Sequence, residues 1–190
     1  MTTPGDELTP VLNRLRGPDL YRNNAFRITG LPTDASAARI RRAREEALLL
    51  TRLAPARSTT AAPPEGEAVR TAYEVLRDPV ARLVHELLWT WPDGPEGTVT
   101  GHADAVEQHR AALEATEGSG TAPDDVWAGG LRSWATVLAG HAFWDHAKRR
   151  VADLGDPRLT TGTVRRLRDR LPRHIVAAGA EAGLRAARAA

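Results

Sequence analysis

The sequence contains no cysteine, which excludes disulfide bonds and thiolate metal sites and fits a reducing compartment. No stretch approaches the ~18 consecutive apolar residues that a membrane-spanning helix needs. The first residues show no basic segment followed by an apolar one, so no secretory signal is predicted. Strands would require alternation of apolar and polar residues, and none is present. We therefore expect an all-α, cytoplasmic protein.

Charge is spread unevenly along the chain, although the net charge is only +2. Residues 31–60 carry six basic and three acidic groups, whereas residues 93–126 carry one basic and eight acidic groups. Residues 157–190 carry eight basic and two acidic groups. This segregation predicts distinct surfaces, and solvated helix faces are its simplest explanation.

Two helices are predicted in the first third of the chain. Residues 1–19 are interpreted as a flexible leader that allows one short helix over 7–15. The apolar cluster of residues 21–31 predicts a short helix ending at Gly30. A longer helix is capped by Ser36 or Asp34. Its apolar stripe combines residues at helical spacing, namely Ile40, Ala43, Ala47 and Leu50, widened by Leu49 and Leu53.

Four arginines occupy the first turns of that longer helix: Arg39, Arg41, Arg42 and Arg44. Cations near a helix N-terminus oppose the helix dipole, so local helix energetics do not explain the cluster. It is either a solvated surface or a face that docks on a partner.

A helical corner follows a loop that is rich in proline, alanine, serine and threonine (54–67). Before the corner, Val69, Tyr73 and Leu76 form an apolar stripe. Asp78 and Pro79 then start a new helix, because aspartate caps free backbone N–H groups and proline suits the first helical turn. Its stripe consists of residues one turn apart, Leu83, Leu87 and Trp91, joined by Val84 and Leu88.

The second half predicts further helices. A helix with an acidic face covers 101–117, and a flexible connector covers 117–125. Asp124 or Asp125 caps the next helix, whose apolar residues are Trp127, Leu131, Trp134, Val137 and Leu138. Gly140 ends or kinks this helix, and another carries Phe143 and Trp144 and finishes at Gly155. Thr160 or Thr161 begins a basic helix that Pro172 interrupts.

Three segments in the first half of the chain together match the sequence pattern of a known helical domain. They are NAFRITGL over 24–31, DAS over 34–36 with IRRA over 40–43, and AYEVLRDP over 72–79 followed by Arg82. Residues 23–88 thereby resemble a J domain, the module by which DnaJ-type co-chaperones engage DnaK-type ATPases. The resemblance implies an antiparallel helix pair with short flanking helices.

The sequence departs from the J-domain pattern at the motif on which the activity of the family depends. J domains carry a His-Pro-Asp tripeptide after the second helix, which is essential for stimulating ATP hydrolysis by the partner. No such tripeptide occurs between Thr51 and Glu67. The basic face that contacts the ATPase in the family persists as Arg41, Arg42 and Arg44. The resemblance therefore implies a degenerate J-like domain that retains a docking surface and lacks the stimulating loop.

The chain divides, on this interpretation, into the leader (1–19), the degenerate J-like domain (20–92) and an α-helical hairpin region (93–190). The segment ELLWTWP over 86–92, with Phe143-Trp144 and DPRL over 156–159 downstream, resembles certain bacterial J-like proteins that continue into helical hairpins. This second resemblance supports the predicted architecture and implies no particular activity.

Candidate binding residues remain on both halves. Trp89 and Trp91 lie two apart, so they occupy different helix faces, and one of them is a candidate exposed anchor for a partner. The basic C-terminal run is a candidate for nucleic acid or an acidic partner through Arg165, Arg166, Arg168, Arg170 and Arg173. Against nucleic acid, that helix carries no aromatic residue and no recognised binding motif.

Enzymatic chemistry is not predicted. His102 and His109 share a helix face near two acidic residues, but without cysteine or an H-E-x-x-H pattern a solvated acidic helix explains them better than a metal site. No phosphate loop, nucleophile elbow or catalytic triad is present. We expect no cofactor, no metal and no membrane partner. The sequence favours a non-enzymatic adaptor or regulatory co-chaperone that binds a protein, with a nucleic-acid-associated protein as the alternative.

Overall fold

The computed structural model describes residues 7–15, 23–53, 65–89 and 137–189, apart from the side chains of residues 51–53, 65 and 178–189. Its helices are α1 (Leu8–Arg14), α2 (Ala25–Thr29), α3 (Ala37–Leu53), α4 (Glu65–Arg77), α5 (Pro79–Trp89), α6 (His141–Leu154) and α7 (Thr161–Ala189). Residues 137–139 are also helical. These ranges contain no strand, which confirms the all-α class for them. None of their helices combines the length and apolarity needed to cross a bilayer.

Helix ends follow local sequence signals. The side-chain oxygen of Ser36 accepts a hydrogen bond from the backbone N–H of Arg39 at 3.2 Å, so Ser36 rather than Asp34 begins α3. Gly30 and Gly155 end α2 and α6 in the left-handed conformation, with φ of 64° and 59°. This conformation strains residues that have a Cβ atom, which explains glycine at both ends.

A smaller apolar core joins α2, α3 and α4. Its buried residues are Ala25, Phe26, Ala35, Ile40, Ala72, Tyr73 and Leu76. Arg44 of α3 pairs with Glu74 of α4, whereas Ile40 and Arg77 line one cleft, so the two helices run antiparallel. Tyr73 and Leu76 were predicted as one stripe, and both are buried.

The end of α3 differs from its predicted apolar stripe. Leu49 and Leu50 are 56% and 69% exposed. In the antiparallel register of Arg44 with Glu74, the end of α3 lies beside the first turn of α4, where Glu67 and Ala68 are themselves exposed. Ala68 is the apolar side chain of that turn, and its single methyl group leaves the leucines exposed, so the prediction that they are buried was wrong.

A larger apolar core joins α1, α5, α6 and α7. It buries leucines of α1 and leucines and valines of α5 and α7 around the edge-to-face pair of Phe143 and Trp144 of α6, whose ring centroids are 4.8 Å apart. Trp144 also donates its Nε1–H to the carbonyl of Leu138 at 2.8 Å. Helix α5 contributes Leu83 and Leu87 to this core and also contacts α2 and α4. It therefore lies between the two cores.

Helix α1 lies in the segment 1–19 that is interpreted as a flexible leader, at the place where the sequence allows a short helix. Leu8, Leu12 and Leu15 are buried in the larger core against α5 and α7. Arg170 of α7 donates a hydrogen bond to the Thr9 hydroxyl at 3.0 Å. The short helix was allowed by the sequence, but its three leucines make residues 8–15 part of the folded protein.

The prediction that Pro172 interrupts the basic helix was wrong. Helix α7 continues through Pro172 to Ala189. Proline lacks the N–H that would bond to the carbonyl four residues earlier, a loss of about 3 kcal/mol in a helix interior. On either side of it, Leu171 and Ile175 are fully buried in the larger core. Burial of this face offsets the missing hydrogen bond.

Some predictions fall outside the described residues. They concern the leader and connector positions, the loop before α4, Trp91, the acidic helix with His102 and His109, and the helix with Trp127, Leu131 and Trp134. The division into a domain over 20–92 and a hairpin region over 93–190 stays a prediction.

Candidate partner-docking surface

Of the three arginines that the J-like resemblance assigns to the docking face, Arg41 and Arg42 are presented to solvent and Arg44 is engaged. Arg41 and Arg42 are exposed, and neither side chain has a hydrogen bond or ion pair within the described ranges. Arg44 is half-buried, and its Nη2 lies 2.8 Å from Glu74 Oε1. Glu74 also pairs with Arg77 at 2.9 Å. Of these three, Arg41 and Arg42 are thus open to a partner, and Arg39 on the same helix is exposed as well.

The position of these arginines is unfavourable for the helix itself. Helix α3 has no acidic residue in its first turn, where negative charge would complement the helix dipole. Arg39, Arg41 and Arg42 lie instead within its first two turns. Because no described residue forms an ion pair with these three side chains, the cluster is a surface suited to an acidic partner.

The tryptophan pair is described only in part. Trp89, the last residue of α5, is half-buried and packs against both the smaller and the larger core. Trp91 lies outside the described residues. The role of either as an exposed anchor stays a prediction.

A buried polar contact connects α2 to α5. The Nδ1 atom of His85 accepts a hydrogen bond from the backbone N–H of Ala25 at 3.0 Å. The Asn24 side chain donates to the His85 carbonyl at 2.9 Å and accepts from the N–H of Phe26 at 3.0 Å. Two free N–H groups at the start of α2 are satisfied in this way. Asn24 is therefore both the cap of α2 and its attachment to α5.

Two histidines are held neutral by their surroundings. Burial lowers the pKa of His85 to about 4, and the nearby Arg14 acts in the same direction. Burial also lowers the pKa of His146 to about 4, with Arg149 and Arg150 adding to the shift and Asp153 opposing it. Since Nδ1 of His85 accepts a hydrogen bond, its ring proton is on Nε2. Neither His85 nor His146 is therefore protonated to a cation at neutral pH.

A charged network connects α5 to α6. Glu86 is buried, and its Oε1 accepts a hydrogen bond from Nε–H of Arg150. Arg150 also donates to Asp153 at 3.1 Å. The Glu86 carboxylate raises the pKa of Arg150 through that hydrogen bond. One turn earlier on α5, Arg82 donates to the carbonyl of Ala35 at 2.6 Å.

The corner between α4 and α5 has the aspartate cap and the first-turn proline that the sequence predicts. Asp78 Oδ1 accepts from the N–H of Ala81 at 2.8 Å, which confirms the predicted cap, and Pro79 is the first residue of α5. The other carboxylate oxygen of Asp78 lies 3.2 Å from Nη1 of Arg158. This ion pair joins the corner to the connection between α6 and α7.

The basic residues of α7 do not form one continuous surface. Arg165, Arg168 and Arg173 are exposed, and Asp169 is exposed beside them. Arg166 is half-buried and donates to the Thr163 hydroxyl at 3.4 Å. Arg170 bonds to Thr9 of α1. Two of the five predicted nucleic-acid-binding arginines are therefore engaged within the protein.

Two clefts adjoin α4 and α5. One of about 430 Å³ lies between α1, α4 and α5, where charges of both signs surround His85. The other, of about 320 Å³, lies beside the first turns of α3 and α5. In the part of the chain that the structure describes, no three histidine, aspartate or glutamate side chains are grouped as metal ligands.

Sequence reasoning missed the buried charges. Arg82 was noted only as part of the J-like resemblance, and Glu86 and Arg150 were not singled out. Glu86 and Arg150 are 64 residues apart, so no local pattern pairs them. A charged residue within an apolar helix stripe is the one signal that would have marked Glu86.

Comparison of the chain with protein-family models, with curated proteins and with solved structures found no match. The J-like resemblance therefore depends on the residues quoted above.

Proposed function

We propose that the chain is a non-enzymatic adaptor or regulatory co-chaperone that docks on a protein partner through Arg41 and Arg42 of α3. The observation that supports this is that both are exposed, without a counter-ion among the described residues, at the end of a helix where positive charge is locally unfavourable. An acidic partner surface would offset that charge. Arg44, which the J-like resemblance includes in the same face, holds α3 to α4 through Glu74.

The partner we propose is a DnaK-type ATPase. The order of α2, the antiparallel pair of α3 and α4, and α5 after the Asp78-Pro79 corner supports a J-like scaffold. The absence of the His-Pro-Asp tripeptide from the sequence supports docking without stimulation of hydrolysis. The chain would then occupy the J-domain surface of the ATPase as a regulator.

Binding of the purified chain to a purified bacterial DnaK-type ATPase tests this function. Binding is measured by calorimetry at physiological salt, and ATP hydrolysis is measured in parallel. We expect saturable binding, no stimulation of hydrolysis, and competition with an active J domain. Charge reversal with Arg41→Glu and Arg42→Glu should abolish binding.

The matched control reverses the same amount of charge elsewhere, with Arg165→Glu and Arg168→Glu on α7. This control should bind like the unmodified chain. No binding to the ATPase, or equal binding by both double variants, would contradict the docking role of α3.

A further inference from the structure

The cleft beside the first turns of α3 and α5 is dominated by positive charge. Its charged lining consists of three guanidinium groups and one carboxylate, from Arg41, Arg77, Arg82 and Asp156. The carboxylate is already engaged, because Asp156 Oδ1 accepts hydrogen bonds from the backbone N–H and the Nε–H of Arg158. Arg77 is engaged as well, since its Nη1 pairs with Glu74 at 2.9 Å. Arg41 and Arg82 have no carboxylate partner among the described residues, so the cleft still has cationic groups in excess of its anionic ones.

Arg82 is the most deeply placed of these cations. It is only 7% exposed, and its Nη2 donates to the carbonyl of Ala35. Its Nε is buried and has no acceptor among the described residues. Glu86, the acidic residue one turn later, bonds to Arg150 instead. The Oε2 of Glu86 is also buried without a hydrogen-bond partner among the described residues. A buried charged donor without an acceptor is costly, so Arg82 keeps unused capacity to bind an anion.

Two helix N-termini add to the positive potential of the cleft. Ala37, the first residue of α3, and Pro79, the first residue of α5, both line it. Neither helix has an acidic residue in its first turn. Asp78 caps α5 but does not line the cleft, and its second oxygen pairs with Arg158. Pro79 has no backbone N–H, and the N–H groups of Arg39 and Ala81 bond to the caps Ser36 and Asp78, so what these two ends add is the positive end of each helix dipole, which favours anions.

The remaining wall of the cleft is apolar. Its side chains come from four helices, namely Ile40, Leu76, Pro79 and Leu154. Its volume of about 320 Å³ exceeds what a single oxyanion fills. The ligand that fits is therefore an anion attached to a hydrocarbon group.

We propose that this cleft binds a carboxylate or phosphate group carried on an apolar hydrocarbon. The oxyanion contacts Arg41, Arg77 and Arg82, and the hydrocarbon contacts Ile40 and Leu154. Arginine suits this role because its planar fork matches both oxyanions. The site does not depend on the identity of the docking partner, so failure of the ATPase experiment would leave it in place.

Titration of the full ¹⁵N-labelled chain with three probes tests the site. The probes are sodium hexanoate, sodium acetate and sodium phosphate, each added at constant ionic strength by replacing sodium chloride. The signals to follow are the Arg82 Nε–H and the backbone amides of Ala37 and Ile40. We expect saturable shifts, with hexanoate binding about tenfold more tightly than acetate because its extra methylene groups are buried.

The three probes separate the sources of the anion. Tighter binding of phosphate than of hexanoate would assign the oxyanion to phosphate and overturn the hydrocarbon half of the proposal. Shifts that rise linearly without saturation for all three probes would overturn the whole site.

Variants identify the binding residues. Arg41→Gln should weaken hexanoate binding about fivefold through loss of one charge-assisted contact. Because Arg41 is exposed, we expect the variant to fold like the unmodified chain. Arg39→Gln is the matched control, since Arg39 is exposed on the same helix and does not line the cleft. Equal weakening by both variants would mean a diffuse charge effect and would contradict a defined site.

Discussion

The backbone N–H of Ala25 donates a hydrogen bond to Nδ1 of His85 at 3.0 Å, across 60 residues of sequence. An imidazole that accepts at Nδ1 and carries its proton on Nε2 is neutral. Protonation of Nδ1 would break this contact and leave a cation among buried groups. The attachment of α2 to α5 therefore depends on pH.

Stability should fall as the pH drops from 6.5 towards 4. In the unfolded chain His85 takes up its proton near pH 6.5, whereas in the folded protein it does so only near pH 4. The unfolded state thus binds more protons across this window, and the free energy of unfolding decreases with falling pH. The full shift corresponds to about 3 kcal/mol. Urea unfolding at several pH values between 7.5 and 4.5 measures it.

His146 contributes to the same window, because its pKa is also lowered to about 4. His146→Gln should therefore retain part of the pH dependence, which then belongs to His85. His141→Gln is the control, since His141 is exposed on the same helix. A free energy of unfolding that stays constant between pH 7 and 4.5 would show that His85 is not buried as described.

The ion pair of Glu86 with Arg150 should be sensitive to loss of one partner. Arg150→Ala leaves the buried Glu86 carboxylate without its donor, and breaking a buried pair costs about 3–5 kcal/mol. Glu86→Gln combined with Arg150→Ala should recover part of that loss, because the remaining side chain is neutral. Chemical unfolding of the single and double variants measures the coupling.

An exposed pair on the same helix provides the comparison. Lys148 Nζ lies 2.8 Å from Asp145 Oδ1, and both side chains are more than half exposed. Lys148→Ala should change the free energy of unfolding by less than about 0.5 kcal/mol, because solvent screens such pairs. Equal losses for Arg150→Ala and Lys148→Ala would contradict burial of the Glu86 pair.

Asp78 combines a cap with an ion pair, and two substitutions separate them. Asp78→Ala removes both and should destabilise the protein by about 1–2 kcal/mol. Asp78→Asn keeps an oxygen for the N–H of Ala81 and loses only the exposed ion pair with Arg158, so it should cost about 0.5 kcal/mol or less. Thermal unfolding of the two variants measures the difference. Equal losses would show that the ion pair, not the cap, stabilises the corner.

Helix ends were predictable from the sequence because their causes are local. Asp78 and Pro79 at the corner, and Gly30 and Gly155 at helix ends, act within one turn of the residues they affect. The stripe of α5 was predictable for the same reason. The prediction for Pro172 was wrong because burial of Leu171 and Ile175 is a tertiary effect that outweighs a local rule.

The candidate cleft illustrates what local patterns do not contain. Arg41, Arg77 and Arg82 come from three helices, and their convergence depends on the antiparallel pairing of α3 with α4 and on the turn at Asp78. The sequence does show that the positive charge of Arg41 near the start of α3 is unfavourable for that helix. It gave no sign that Arg82 would be buried with an unsatisfied N–H.

The leucines of α1 provide a test of the larger core. Leu12→Ala should destabilise the whole protein by about 2–4 kcal/mol, because a buried leucine loses its transfer energy and leaves a cavity. Glu7→Ala, at an exposed position beside the same helix, should change stability little. Chemical unfolding followed by tryptophan fluorescence measures both, since Trp144 lies in that core. If residues 8–15 were a flexible leader, the two variants would unfold at the same denaturant concentration.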